Sequence, residues 1–106
     1  MTGSITAVTS SITQITEMVR GFELSQNYPN PFNPSTVIKF SVPNSSVVLL
    51  KVYDSMGKEV TTLVNEGLTA GTYRVDWNAA NFTSGIYYYK IETEQFIETR
   101  KMLLIK

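Results

Sequence analysis

The sequence lacks the two residue types on which most chemical sites depend. Its 106 residues include no histidine and no cysteine. Histidine is the commonest general base and the commonest metal ligand, and cysteine supplies thiolate ligands and disulfides. We therefore expect neither a metal nor a cofactor.

Excess charge of one sign and long apolar runs are also missing. Nine lysine and arginine residues balance nine acidic residues, whereas a nucleic-acid-binding surface calls for a basic excess. No apolar run approaches the roughly 18 residues of a membrane-spanning helix. The first residues lack the basic and apolar regions of a signal peptide. If the protein is exported, we expect its export signal to lie upstream of this fragment or to take another form.

No motif for catalysis is present. The carboxylates are scattered, and there is no nucleophile elbow, phosphate-binding loop or metal-ligand spacing. Glu92 and Glu94 share one face of a predicted strand, but strand ends commonly carry such charges for solubility. We therefore expect a protein that is not an enzyme and has no small-molecule substrate.

The first 21 residues differ in character from the rest of the chain. They are rich in serine and threonine, with isolated isoleucine and valine residues. The spacing of these apolar residues fits a weakly amphipathic helix, but their β-branched side chains lower the helix propensity. We interpret residues 1–21 as a linker from an upstream cargo domain, with a helix as the alternative, and residues 22–106 as the folded domain.

Period-2 alternation begins at Phe22 and predicts an all-β domain. About seven short strands are separated by turn signals every eight to twelve residues, which is typical of an immunoglobulin-like antiparallel β-sandwich. A small barrel would show similar spacing and is the alternative. In the "DSMGKE" turn, Gly57 is expected to have a positive φ. The residues predicted to point inward are Ile38, Phe40, Leu50, Val52, Tyr73, Val75, Trp77, Tyr87, Tyr89 and Ile91.

A stiff segment precedes the first clear strand. "NYPNPFNP" (residues 27–34) places three asparagines and three prolines in eight residues. Each proline fixes φ and removes a backbone donor, and asparagine suits the corners between them. We expect a rigid, extended or turning segment that joins cargo to the sandwich. It is also suited to cover an edge or an end of the sandwich, because proline cannot recruit another strand.

Several stretches together resemble a known family. The order "LSQNYPNPFNPST", "KVYDSMGKEV", "AGTYRVDWNA", "SGIYYYKI" and "TRKMLLIK" is similar to the type A C-terminal sorting domain of the type IX secretion system over Phe22–Lys106. A looser similarity links it to the immunoglobulin-like domain of flagellar hook-capping proteins. The sorting-domain resemblance implies a sandwich at the C-terminus of a secreted enzyme or adhesin from a Bacteroidetes-like bacterium.

The same resemblance implies a route and two kinds of partner. The parent protein would enter the periplasm by a cleaved N-terminal signal. The outer-membrane type IX translocon would then read the folded domain, and a sortase-type peptidase would commonly remove it at the cell surface. The protein would be secreted or held at the surface, with no nucleic acid among its partners.

The C-terminal stretch is the predicted recognition element. An apolar strand with cationic ends, placed at a sheet edge, is one that a partner sheet can extend. Because its cations are expected to be exposed, we predict little effect of their removal on stability. The residues predicted for translocon recognition are Gly85, Tyr87, Lys90, Arg100, Lys101, Met102, Leu103, Leu104, Ile105 and Lys106. The residues predicted for the structural Asn/Pro motif are Asn30, Pro31, Phe32, Asn33 and Pro34.

Two other functions are open at this point. A hook-capping-like structural module would share the sandwich. A carbohydrate-binding accessory module would need a row of exposed aromatic side chains for stacking on sugar rings. Tyr53 and Tyr88 are the outward-facing candidates for such a row.

Overall fold

Eight strands run through residues 12–106, the part of the chain that the computed structural model describes. Their bounds are β1 Ile12–Ile15, β2 Glu23–Leu24, β3 Ser35–Val42, β4 Ser46–Asp54, β5 Glu59–Leu68, β6 Gly71–Asn78, β7 Gly85–Glu92 and β8 Ile97–Leu104. The first sheet has the order β1-β6-β3-β2 and the second sheet the order β5-β4-β7-β8. All neighbouring strands are antiparallel. The predicted sandwich, with seven strands from residue 22 onward, is confirmed.

The core lies between the two sheets and is built by the alternation seen in the sequence. All ten residues predicted to point inward are buried, with at most 6% of each exposed. Trp77 lies among other rings, with centroid distances of 5.8 Å to Phe32, 5.4 Å to Phe82 and 5.7 Å to Tyr87. Such tilted and edge-on ring contacts stabilise a core beyond the burial of area alone.

One strand arises where the sequence pattern predicted a linker. Ile12–Ile15 forms β1 and pairs with β6, with Ile12 opposite Val75 and Ile15 opposite Thr72. β-Branched residues fit a sheet, and the otherwise free edge of β6 offers unpaired backbone groups. Neither the linker nor the helix interpretation anticipated this strand. Residues 1–11 lie outside the described residues, and the domain boundary at residue 22 stays a prediction.

The turn between β4 and β5 has the predicted chemistry. The Asp54 carboxylate accepts the backbone N–H groups of Met56 and Lys58, both at 2.9 Å. Gly57 has a φ of 86°, which side-chain-bearing residues rarely adopt. The expectation of a positive φ at Gly57 is confirmed.

Candidate functional site

The last strand, β8, lies at the edge of the second sheet and pairs only with β7 there. Along it, Met102 and Leu104 point inward and are buried, whereas Leu103 is half-buried on the outer face. Ile105 follows the strand and is 49% exposed. The predicted apolar run therefore divides between the core and the surface of the molecule.

The outer edge of β8 is partly covered by the Asn/Pro segment. The Phe32 N–H donates to the Leu103 carbonyl at 3.0 Å, and the Ile105 N–H donates to the Phe32 carbonyl at 3.0 Å. The Asn30 side-chain oxygen accepts the Leu103 N–H at 3.0 Å. We call these contacts of Asn30 and Phe32 with residues 103–105 the clamp. The Asn/Pro segment thus covers a sheet edge, and residues 103–105 are not open to strand addition.

Phe32 anchors the clamp in the core. Its side chain is 2% exposed and lies against Trp77. The flanking residues of the segment do not share this burial, since Pro31 and Asn33 are exposed. The bonds that precede Pro29, Pro31 and Pro34 are cis.

A buried polar cluster holds the start of the Asn/Pro segment. The Asn27 N–H donates to the Tyr89 hydroxyl at 2.8 Å, and that hydroxyl donates to the Ser25 carbonyl at 2.6 Å. The Asn27 side-chain amide donates to Thr36 Oγ1 at 2.9 Å and to the Pro29 carbonyl at 3.1 Å. Burial raises the pKa of Tyr89 to about 12, although the hydrogen bond from Asn27 opposes this rise.

Sequence reasoning missed the role of this cluster. It placed Tyr89 in the core but did not ask where the phenol would find a partner, and a buried Tyr O–H usually has one. Asn27 is only 2% exposed, and it was interpreted as a corner residue alone. The sequence did contain a signal: Asn27 is a hydrogen-bonding side chain at the start of a segment whose prolines have no backbone N–H to donate.

Arg100 connects the edges of the two sheets. Its Nε donates to the Leu24 carbonyl at 2.7 Å, which joins β8 to β2. Its Nη2 lies 3.0 Å from a Glu98 carboxylate oxygen. Arg100 was expected to be exposed, and it is half-buried, because the guanidinium reaches a backbone carbonyl across the open side of the sandwich.

Lys106 is held in a similar way, by the loop that precedes β7. Its ammonium donates to the carbonyls of Ala80 at 2.6 Å and Phe82 at 2.8 Å. Its backbone N–H donates to the Ser84 hydroxyl at 3.0 Å. Lys106 is exposed, as predicted, but these hydrogen bonds give it a structural role that the sequence pattern did not indicate.

Lys101, in β8, differs from Arg100 and Lys106. It is exposed, and its ammonium has no hydrogen-bond or ion-pair partner among residues 12–106. Its backbone carbonyl accepts a hydrogen bond of 2.8 Å from the Gln26 side chain. Lys101 thus presents its charge outward from a strand whose backbone is fixed.

The predicted residues of β7 occupy different surroundings. Gly85 lies opposite Leu104. Tyr87 is buried, and its hydroxyl donates to the Thr83 carbonyl at 2.7 Å. Lys90 lies on the outer face, with its Nζ 5.5 Å from the centre of the Tyr53 ring. The structure places all three opposite residues of β8, with Tyr87 opposite Met102 and Lys90 opposite Thr99. Their role in translocon recognition stays a prediction.

Two features are absent from residues 12–106. No group of three or more acidic, histidine or cysteine side chains is placed to hold a metal ion. No helix in the same residues has the length and apolar character needed to cross a membrane.

Comparison with known proteins identifies the family. The family described as "Secretion system C-terminal sorting domain" matches residues 26–106, a range that includes the Asn/Pro segment, β7 and β8. No curated protein and no solved structure gives a match. The hook-capping and carbohydrate-binding alternatives have no support. Membership implies interaction with the secretion machinery, and export to the cell surface or the medium. The chain belongs to the family of secretion-system C-terminal sorting domains and acts as a C-terminal sorting signal of the type IX secretion system.

Proposed function

We propose that the outer-membrane type IX translocon recognises β8 together with the clamp, once the protein has reached the periplasm. A sortase-type peptidase then removes the domain from its upstream cargo. The domain takes part as a folded binding element and has no catalytic activity of its own. The observation that carries this proposal is the clamp, which joins Asn30 to Leu103 across 73 positions of sequence.

The clamp gives the C-terminal strand one defined shape. With the backbone of Leu103 bonded on its outer side, a partner meets the ammonium of Lys101 and the apolar side chain of Ile105 in fixed positions. Binding a preorganised surface avoids the cost of ordering it. This supports recognition of a folded domain and disfavours recognition of an extended tail.

The clamp also limits where a partner strand can pair. Because Leu103 directs its N–H and carbonyl outward, the strand alternation directs those of Ile97 and Thr99 outward as well. No described strand pairs with this side of β8. Strand addition by the translocon is therefore possible along residues 97–99, whereas the Lys101 carbonyl is bonded to the Gln26 side chain and the clamp blocks residues 103–105.

The test uses residues 1–106 fused behind a reporter that carries a Sec signal, in a bacterium with a type IX system. The parent fusion should reach the surface or the medium. An exported reporter that is lighter by the mass of the domain would show that a peptidase has removed the domain. Lys101→Ala removes a cation without structural partners, so it should lower the exported fraction several-fold and leave the thermal midpoint unchanged. Lys58→Ala, at an exposed turn lysine, is the matched control and should be exported like the parent.

Lys106→Ala distinguishes folding from recognition. It removes two hydrogen bonds to backbone carbonyls, so it should lower the thermal midpoint, which Lys101→Ala should not. Normal export of Lys101→Ala would show that this lysine is not read. A parent fusion retained in the periplasm would contradict the proposed function itself.

A further inference from the structure

The outer face of the second sheet gathers lysine and tyrosine side chains in two adjacent rows. In one row Tyr53 lies opposite Tyr88, and Tyr88 lies opposite Lys101. In the next row Lys51 lies opposite Lys90. These five residues, from β4, β7 and β8, form what we call the tyrosine–lysine face.

The fold neutralises only part of the positive charge on this face. Like charges directly opposite each other on a sheet are destabilising, and Lys51 and Lys90 are such a pair. Lys51 is relieved by Glu59, 3.0 Å from its ammonium, whereas Lys90 is placed over the Tyr53 ring. Lys51 is therefore neutralised within the fold, whereas the charge of Lys90 meets only a ring and has no carboxylate partner among the described residues.

On the outer face of the first sheet, by contrast, the cations have carboxylate partners. There the Lys39 ammonium lies 3.2 Å from Glu17, and the Arg74 guanidinium lies 3.4 Å from Asp76. Each cation on that face has its own carboxylate. The second sheet keeps Lys90 and Lys101 without carboxylate partners among the described residues, so an external anionic group can pair with them.

Apolar side chains border the same face. Ile86 is 40% exposed and lies opposite Leu103, two residues along β7 from Tyr88 and thus in the next row of the same face. Tyrosine rings and aliphatic side chains supply area that can be desolvated, as in the centre of a protein interface. Lysines around such an area favour a partner of opposite charge.

We propose that the tyrosine–lysine face docks on an acidic surface of a protein of the secretion machinery. The proposal rests on the proposed function and adds a partner of defined chemistry, bound by a face of the sheet rather than by the edge of β8. A protein partner is favoured over a sugar because cations and aliphatic groups accompany the two rings. Binding of an acidic polysaccharide to this face would overturn this choice.

Export measurements test the face through Lys90, which takes no part in the clamp. Lys90→Glu in the reporter fusion should lower export about tenfold, because like-charge contacts at an interface cost more than 1.4 kcal/mol, the equivalent of tenfold. Arg74→Glu is the matched control, an outward charge reversal on a central strand of the opposite sheet, and should be exported like the parent. Thermal midpoints of both purified variants should match each other within a few degrees.

Photocrosslinking in the same cells identifies the partner. A benzoylphenylalanine at Thr99, exposed and opposite Lys90, should give one protein adduct that mass spectrometry assigns to a machinery component with an acidic surface. The adduct should disappear with Lys90→Glu and in extracts at about 1 M salt, where the Debye length is about 3 Å.

Each result has one meaning for the docking inference. A polysaccharide adduct, the absence of an adduct, or an adduct and export unchanged by Lys90→Glu would each overturn it. If the parent fusion is exported while Lys90→Glu is exported equally well, the docking inference fails and the proposed function stands. If the parent fusion is not exported, the proposed function fails first.

Discussion

Replacing Tyr89 by phenylalanine tests whether the buried cluster holds the Asn/Pro segment in place. Tyr89 is 0% exposed and Asn27 is 2% exposed. Without the hydroxyl, the Asn27 N–H loses its acceptor at 2.8 Å and the Ser25 carbonyl loses its donor at 2.6 Å. A buried donor without a partner costs about 1–3 kcal/mol. We expect Tyr89→Phe to lower the free energy of unfolding by that amount at pH 7.

The same substitution has a signature at high pH. The pKa of Tyr89 is about 12 in the fold and about 10 in an unfolded chain. The unfolded chain therefore loses its proton first, so this group leaves stability constant below about pH 10 and lowers it as the pH rises towards 12. At pH 11 the parent loses about 1.4 kcal/mol through this group, and Tyr89→Phe does not. The difference in unfolding free energy between the two proteins should narrow by about that amount.

Urea unfolding followed by the fluorescence of the single tryptophan, Trp77, measures both effects. Tyr88→Phe is the matched control, because Tyr88 directly precedes Tyr89 in β7 and is only half-buried. Its unfolding free energy should stay within about 0.5 kcal/mol of the parent value at pH 7. If Tyr89→Phe behaves like this control, or if the difference does not narrow at pH 11, the cluster does not act as described.

Three further predictions, at Gly57, at Phe32 and at β1, test the fold. Gly57→Val should lower the free energy of unfolding by about 1–3 kcal/mol in chemical denaturation, because φ is 86° and the space around the site is open. Gly57→Asn should lower it less, since asparagine tolerates a positive φ better, and equal losses for the two variants would contradict a conformational origin. Phe32→Ala should cost about 3–5 kcal/mol, and a loss below about 1 kcal/mol would show that Phe32 does not anchor the clamp. A chain that begins at Thr16 loses β1 and should melt several degrees lower, for a loss of about 1 kcal/mol, whereas an unchanged midpoint would show that β1 adds nothing.

The sequence by itself determined the architecture of the sandwich. The alternation of "TYRVDW" places Tyr73 and Trp77 inward because successive side chains of a strand point to opposite faces, and both are buried. Gly57 could be assigned because a positive φ is a local requirement of the turn. The stretches that identify the family are also local, so they could be recognised before any contact was known.

Only the tertiary structure decided which surfaces of the C-terminal strand are free. Arg100 and Lys106 have the same sequence character as Lys101, but each reaches a carbonyl that lies more than 20 residues away along the chain. The clamp and the pairing of β1 with β6 likewise join segments far apart in sequence. Every residue type has a backbone carbonyl, and whether a strand lies at an edge depends on the sheet order, so no pattern of residue types predicts these contacts. Their partners follow from how the two sheets stack and where their edges are left open.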